Sequence, residues 1–344
     1  MDGFCLAEQP DNIVGRALVS PGVKLGLGGE ASDSVGVERF QKRFRSRRPS
    51  PFEVCRAAIS AISNWRLLRQ FATAPPDSEL ARQLAHRPEI WEMILTPYIA
   101  AHWKASDRLT RILDHCNTCE RLGPMLVAPW NGYVIITPLP EIGPSYHLLL
   151  DQPRWLLREG QSAISVWDGR DRLFSISYCL SSEGGSLRAY VGGLQGVVGP
   201  NIMERYRLLT KRAHGLRPAD LVFELFRIFC RSLGAEFVHC VSDDIRQQKS
   251  IYYSRRNAEK VIFRPYDATW LERGGTRRSD GFFAFSTHAP RRLESDIPTK
   301  KRAMYRKRYV MLDAIAERIA ANVSAGPTND QFIYFGQEDL LLRE

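Results

Sequence analysis

The 344-residue sequence contains no apolar run approaching the ~18 residues that cross a bilayer, which excludes a spanning helix. Its opening stretch, MDGFCLAEQPDNIVGRALVS, has no basic start followed by an apolar core. No secretory leader is therefore expected, and the expected location is cytoplasmic. Cysteine is sparse, with seven residues at 5, 55, 116, 119, 179, 230 and 240. An odd, scattered set in a chain large enough to bury its own core points to reduced thiols rather than staples. Cys116 and Cys119 stand in a lone HCNTC with no second pair, so no metal is expected. Gly-x-Ser-x-Gly, a Walker loop and His-Glu-x-x-His are all missing, which leaves serine hydrolase, nucleotidase and zinc protease readings without support.

What the chain does have is positive charge. Its formal net charge is +10, with 44% hydrophobic and 25% charged residues, the composition of a folded basic protein. Such a surplus suits an anionic partner, although solvation alone also accounts for it.

The pattern divides the chain into four parts. Residues 1–36, rich in Gly and Ser, read as a flexible arm. Residues 37–123 read as a helical region. It opens with the basic run RFQKRFRSRRPSP, and Val54, Ala57, Ala58, Ala61, Ile62, Trp65 and Leu68 then fall on one stripe. That spacing assigns Trp65, with Trp91, Tyr98 and Trp103, to the core. Residues 124–296 carry the strands: YHLLL, QSAISVWD, RLFSISYCL and SLRAYVGGL alternate or run apolar between turn residues. Asp168-Gly169 and SSEGGS read as hairpin turns of a three-stranded antiparallel meander. EFVHCVS, EKVIFRP and GFFAFS read as later strands. Residues 297–344 read as a basic helix and tail. The expected fold class is α+β, with a helical N-terminal part followed by a mixed, mainly antiparallel sheet flanked by helices.

One segment concentrates the chemistry. In RLLTKRAHGLRPADLVFELFRIFCRSLGAEFVHCVS, a basic loop precedes Pro218, which suits the first position of a helix. Leu221, Val222, Leu225, Ile228, Phe229 and Leu233 form the apolar stripe of that helix, and Gly234 ends it. Unpaired N–H groups at a helix start favour an anion, so a phosphate-bearing donor is the expected ligand.

This segment resembles the donor-binding segment of the GNAT acyltransferase superfamily, where an Arg/Gln-x-x-Gly-x-Gly/Ala loop cradles the coenzyme A pyrophosphate. Arg212 stands at the first motif position and Gly215 at the second. Arg217 stands at the last, where that superfamily has Gly or Ala. YDATWLERGGTRRSDGFFAF resembles the superfamily's later helix and final strand. Over most of its length the chain also resembles the VirK/YbjX family, through GGLQG, LTKRAHGLRP, YDATW and IPTKKRAMYRKRY in that order. That bacterial family is associated with virulence and envelope stress. The resemblance implies a bacterial cytosolic protein and supplies no settled reaction.

The resulting expectation is an acyl-group transferase, with aminoacyl-tRNA or acyl-CoA as donor, no permanently bound cofactor, and a small amine or hydroxyl as acceptor. His214, Glu204 and Gln195 are the candidate catalytic residues. Gly192, Gly193, Lys211, Arg212, Gly215 and Arg217 are candidates for the donor, and Asp267 and Trp270 for the acceptor. Lys300, Lys301, Arg302, Arg306, Lys307 and Arg308 would follow an RNA backbone, such as that of tRNA, or another polyanion. The same residues admit structural readings: a phosphate contact or loop cap for His214, a bulge for the glycines, a helix anchor for Asp267 and Trp270, a solvated face for the C-terminal cations. The alternative function is a non-catalytic regulator that binds RNA or an anionic envelope component on a degenerate acyltransferase fold.

Overall fold

Successive hairpins, their central strands buried on both faces, build one nine-stranded sheet in this computed structural model, which describes residues 51–250, 252 and 265–335. The strands are β1 (Gly132–Pro138), β2 (Tyr146–Asp151), β3 (Ser162–Asp168), β4 (Asp171–Glu183), β5 (Ser186–Gly196), β6 (Phe237–Val241), β7 (Thr276–Arg277), β8 (Phe282–Ser286) and β9 (Phe332–Tyr334). Their order across the sheet is β7-β8-β6-β5-β4-β3-β2-β1-β9. Every neighbouring pair is antiparallel except β5 with β6, which is parallel. A parallel pair needs a crossover. It is supplied by α5 (Ile202–Arg212) and α6 (Pro218–Ser232).

The two faces of β4 divide the molecule. Tyr178 packs on Phe226 of α6 with ring centroids 4.8 Å apart, and Phe174 meets Tyr206 of α5. On the other face, Ser181 donates to Asp114 and accepts from Arg111 on α4 (Ala105–Leu122). Period-two alternation places these two sets on opposite sides. α6 is more deeply buried than its stripe implied, because Phe223, Phe226, Arg227 and Cys230 are covered as well. Arg227 tolerates this because Nε and Nη2 both donate to the Ser286 carbonyl.

Three strands escaped the sequence pattern, among them the two-residue β7. GYVIITP forms β1, and the C-terminal segment returns as β9 to pair with it, Tyr133 opposite Ile333. Between them, α8 (Thr299–Ala325) packs on α6 and β1 and buries Met311, Ile315 and Ile319. The expected strand EKVIFRP, but for its last residue Pro265, and the arm 1–36 lie outside the described residues, as do residues 37–50.

The first helix is not continuous. α1 (Pro51–Ser63) stops and α2 (Trp65–Ala72) begins anew, with Asn64 between them bonding back to Ser60 and Ala61. The break turns part of the expected stripe outward. Trp65 is 54% exposed and Ile62 72% exposed, which corrects their assignment to the core. Tyr98 and Trp103 are buried as expected, and Trp91 half-buried. α3 (Glu79–His86) leads toward α4 on the same side of the sheet, and α7 (Tyr266–Glu272) precedes β7.

Candidate active site at the divergence of β5 and β6

β5 and β6 pair from Arg188–Phe237 to Val191–Cys240 and no further, although β5 runs on to Gly196. At the same place β5 slips against β4: Tyr178 faces Val191 and Ser177 faces Gly193, so Gly192 is the extra residue of a bulge. The divergence is filled from α7. The Leu194 N–H donates to the Tyr266 hydroxyl at 2.8 Å. Burial holds that phenol protonated, raising its pKa above the ordinary tyrosine range.

The turn at Arg154–Leu156 delivers Glu159 against this bulge. A Cβ on Gly193 would overlap Glu159 Oε2, and one on Gly192 would overlap the Glu159 carbonyl. The two glycines are what allow the acid to lie on the strand. Gln195 Nε2 donates to Glu159 Oε2, and Gln248 Nε2 donates to Oε1 at 2.9 Å. Burial is the largest influence on the carboxyl and pushes its pKa up to about 7, against the pull of both amides and of Arg246. Only 5% of Glu159 is exposed, so little water reaches the carboxyl.

Beside it lies a cavity of about 210 Å³ lined by Asp243, Arg246, Gln248, Lys249 and Pro265. The Arg246 guanidinium stacks 3.8 Å from the Tyr266 ring centroid. Asp243 accepts from the Tyr266 and Asp267 N–H groups and so caps α7. Gln248 lines the cavity and touches Glu159, linking the space to the acid. This arrangement can hold a proton near neutral pH beside a strand end, with a buried cation at hand.

The structure brings Gln195, Gly192 and Gly193 together here. Asp267 and Trp270 are engaged in anchoring α7: Asp267 accepts from the Asp243 N–H at 2.7 Å and from Arg277 at 2.9 Å, and the fully buried Trp270 donates to the Val241 carbonyl. Glu159, Arg246, Gln248 and Tyr266 were missed by the sequence reading. No spacing motif marks them, because they converge from separate loops.

The basic loop lies elsewhere. Gly215, at φ +83°, closes α5 through its N–H to the Thr210 carbonyl, and His214 sits at φ +49°. Arg308 of α8 donates through Nε and Nη2 to the His214 carbonyl. Arg212 lies over the Tyr146 ring, 5.4 Å from its centroid. Lys211 is exposed, and Arg217, 64% exposed, stands 4.0 Å from Glu272. Glu204, in the first turn of α5, is about 15 Å of helix from His214 and does not meet it. His214 instead joins Arg306, Lys307 and Glu141, the last paired with Arg318, around a second cavity of about 350 Å³, floored by Val310, Met311 and Ala314. Burial, then Lys307 and Arg308, lower the His214 pKa. Lys300 and Lys301 are exposed, Arg302 donates to the Ile297 carbonyl, and Arg306 faces Glu294 at 3.7 Å.

Fold and site together define an α+β protein with a buried acid where a mixed sheet splits. The chain belongs to the family described as "Protein of unknown function (DUF535)", which matches residues 52–321. It is similar to the uncharacterized protein YbjX of Escherichia coli, 28% identical over 244 residues, covering 69% of this chain and 73% of the relative. Two uncharacterized proteins of Haemophilus influenzae are 28% and 31% identical over 227 and 211 residues. They cover 65% and 58% of this chain and 74% and 67% of the relatives. These matches support the VirK/YbjX resemblance. Among the described residues, no helix is long and apolar enough to cross a membrane.

Proposed function

We propose that the chain is an acyl-group transferase of the bacterial cytosol whose reacting centre is the divergence of β5 and β6, with Glu159 as the proton acceptor. One observation carries this reading: a buried glutamate, poised near neutrality, lies against the glycine bulge at the end of the parallel strand pair. An amine or hydroxyl acceptor in the Arg246 cavity would give its proton to Glu159 as its nitrogen or oxygen attacks the donor carbonyl. The carbon–sulfur bond of an acyl-CoA, or the carbon–oxygen ester bond of an aminoacyl-tRNA, would then break. The proton would pass to the departing thiol or hydroxyl. Gln195 and Gln248 orient the carboxylate, and Tyr266 holds the strand end open. Because the donor is already activated, positioning and one proton transfer suffice.

In this reading the donor's phosphates occupy the His214, Arg306 and Lys307 cavity, with Lys300 and Lys301 extending the track toward RNA. The assay combines the protein with acyl-CoA or charged tRNA and a panel of amines and alcohols. Glu159→Gln is expected to lower transfer by about a hundredfold or more while leaving donor binding intact. Unchanged turnover in that variant would remove Glu159 from the mechanism.

A second reading, a non-catalytic RNA or anion binder, draws on the exposed cations of α8. It predicts salt-sensitive binding to any polyanion and no transfer with either donor.

A further inference from the structure

The break at Asn64 leaves a surface that the fold does not use. Along α1 and α2 the inner positions are engaged: Ala57 and Phe71 are buried, Leu67 and Leu68 pack on the core, and Ser60 Oγ donates to the Ile94 carbonyl. The outer positions are not uniformly polar, as a solvated helix face would be. Ile59 is 66% exposed, Ile62 72% and Trp65 54%. Cys55, Arg56, Arg66 and Arg69 are exposed on the same two helices. On α1, spacing of three to four residues puts Cys55, Ile59 and Ile62 on one stripe, and past the break Trp65, Arg66 and Arg69 are exposed positions of α2. No acidic residue occurs between Glu53 and Asp77.

We infer that this outer face of α1 and α2 docks on an anionic lipid surface. Isoleucine and tryptophan side chains standing clear of the body are suited to the boundary between headgroups and acyl chains, where tryptophan is enriched. The three arginines answer lipid phosphates, and from Val54 to Pro76 no acid opposes them. A second copy of the chain fits poorly. A two-fold contact would set Arg66 and Arg69 against their own equivalents, with no carboxylate in α2 to offset them. RNA would leave Ile59 and Ile62 without an apolar partner. Because the inner face is held by the core, α1 and α2 would dock as they stand, as a rigid foot rather than a helix that folds on contact.

The test is co-sedimentation of the full chain with phosphatidylcholine vesicles, with and without phosphatidylglycerol. Binding is expected to phosphatidylglycerol vesicles and to weaken at least tenfold on phosphatidylcholine alone. The exposed variant Ile59→Ser/Ile62→Ser/Trp65→Ser should lose a similar factor while its circular dichroism and melting stay unchanged. A polarity-sensitive dye on Cys55, in a chain carrying Cys5→Ser, should shift to the blue on the anionic vesicles. Equal sedimentation of the triple variant, or a dye that stays in a water-like environment while the chain binds, would overturn the inference. So would a concentration-dependent dimer that the triple substitution dissolves, since the face would then be an interface between copies.

Discussion

Gly193 lacks a side chain because Glu159 occupies the space where its Cβ would stand. The glycine's value is therefore steric rather than conformational, since its φ is not among the positive ones. A glycine in mid-strand ordinarily weakens a sheet, and here it makes room for an acid.

Gly193→Ala should accordingly destabilise, although alanine is the better strand residue. The methyl group must displace the Glu159 carboxylate and its bonds to Gln195 and Gln248, at a cost of about 1–3 kcal/mol. Gly199→Ala, where an added Cβ meets nothing, is the control and should be nearly neutral. Urea unfolding of the two variants checks this.

Glu159 imposes a pH dependence on stability. Its folded pKa of about 7 exceeds the ordinary 4.5, so the folded chain binds the proton more tightly than the unfolded chain. The associated stability is full below pH 4.5 and is lost as pH rises through 7, amounting to roughly 3 kcal/mol. Glu159→Gln should flatten this slope between those limits and be more stable than the parent above pH 7. Denaturant midpoints measured across that range decide it.

His115 acts with the opposite sign. Its Nδ1 accepts the Leu180 N–H at 3.0 Å beyond the end of β3, which leaves Nε2–H to donate to Ser162 Oγ at 3.1 Å. Burial first, then Arg87, lowers its pKa to about 3. Its contribution is present above pH 6.5 and is lost as pH falls toward 3. His115→Phe should cost about 1–3 kcal/mol near neutrality, because a buried N–H and a hydroxyl lose their partner. Its acid unfolding should also be shallower than that of the parent, measurable by circular dichroism during acid titration.

Arg308 closes the basic loop by gripping the His214 carbonyl. Arg308→Ala removes two charged hydrogen bonds from the end of α5 and should cost about 1–2 kcal/mol. Amide exchange at residues 213–216 should quicken more than exchange in α6, and mass spectrometry resolves the two segments.

The parts of the fold legible in sequence are those set by local pattern. β2 through β5 are apolar or alternating runs bounded by turn residues, and two of their turns carry glycines at positive φ, Gly169 in one and Gly184 and Gly185 in the other. Pro218 and Gly234 bound α6 as their backbone chemistry requires. β1 was missed because GYVIITP runs apolar without clear alternation, and β9 because its pairing comes from nearly 200 residues away. The exposure of Trp65 depends on a break at Asn64 that helical spacing cannot reveal. Gln195 and the two glycines drew notice from the sequence, whereas Glu159 did not. Its amide partners lie 36 and 89 residues distant, and a burial-raised carboxyl leaves no local signature.

The most direct measurement is a carbon-13 NMR titration of the glutamate side-chain carboxyls, comparing the parent with Glu159→Gln. One carboxyl should titrate near pH 7, well above the ordinary 4.5, and its resonance should vanish in the variant. If no carboxyl that disappears in Glu159→Gln titrates above the ordinary 4.5, Glu159 is no poised proton acceptor, and the reacting centre assigned to the β5–β6 divergence is wrong.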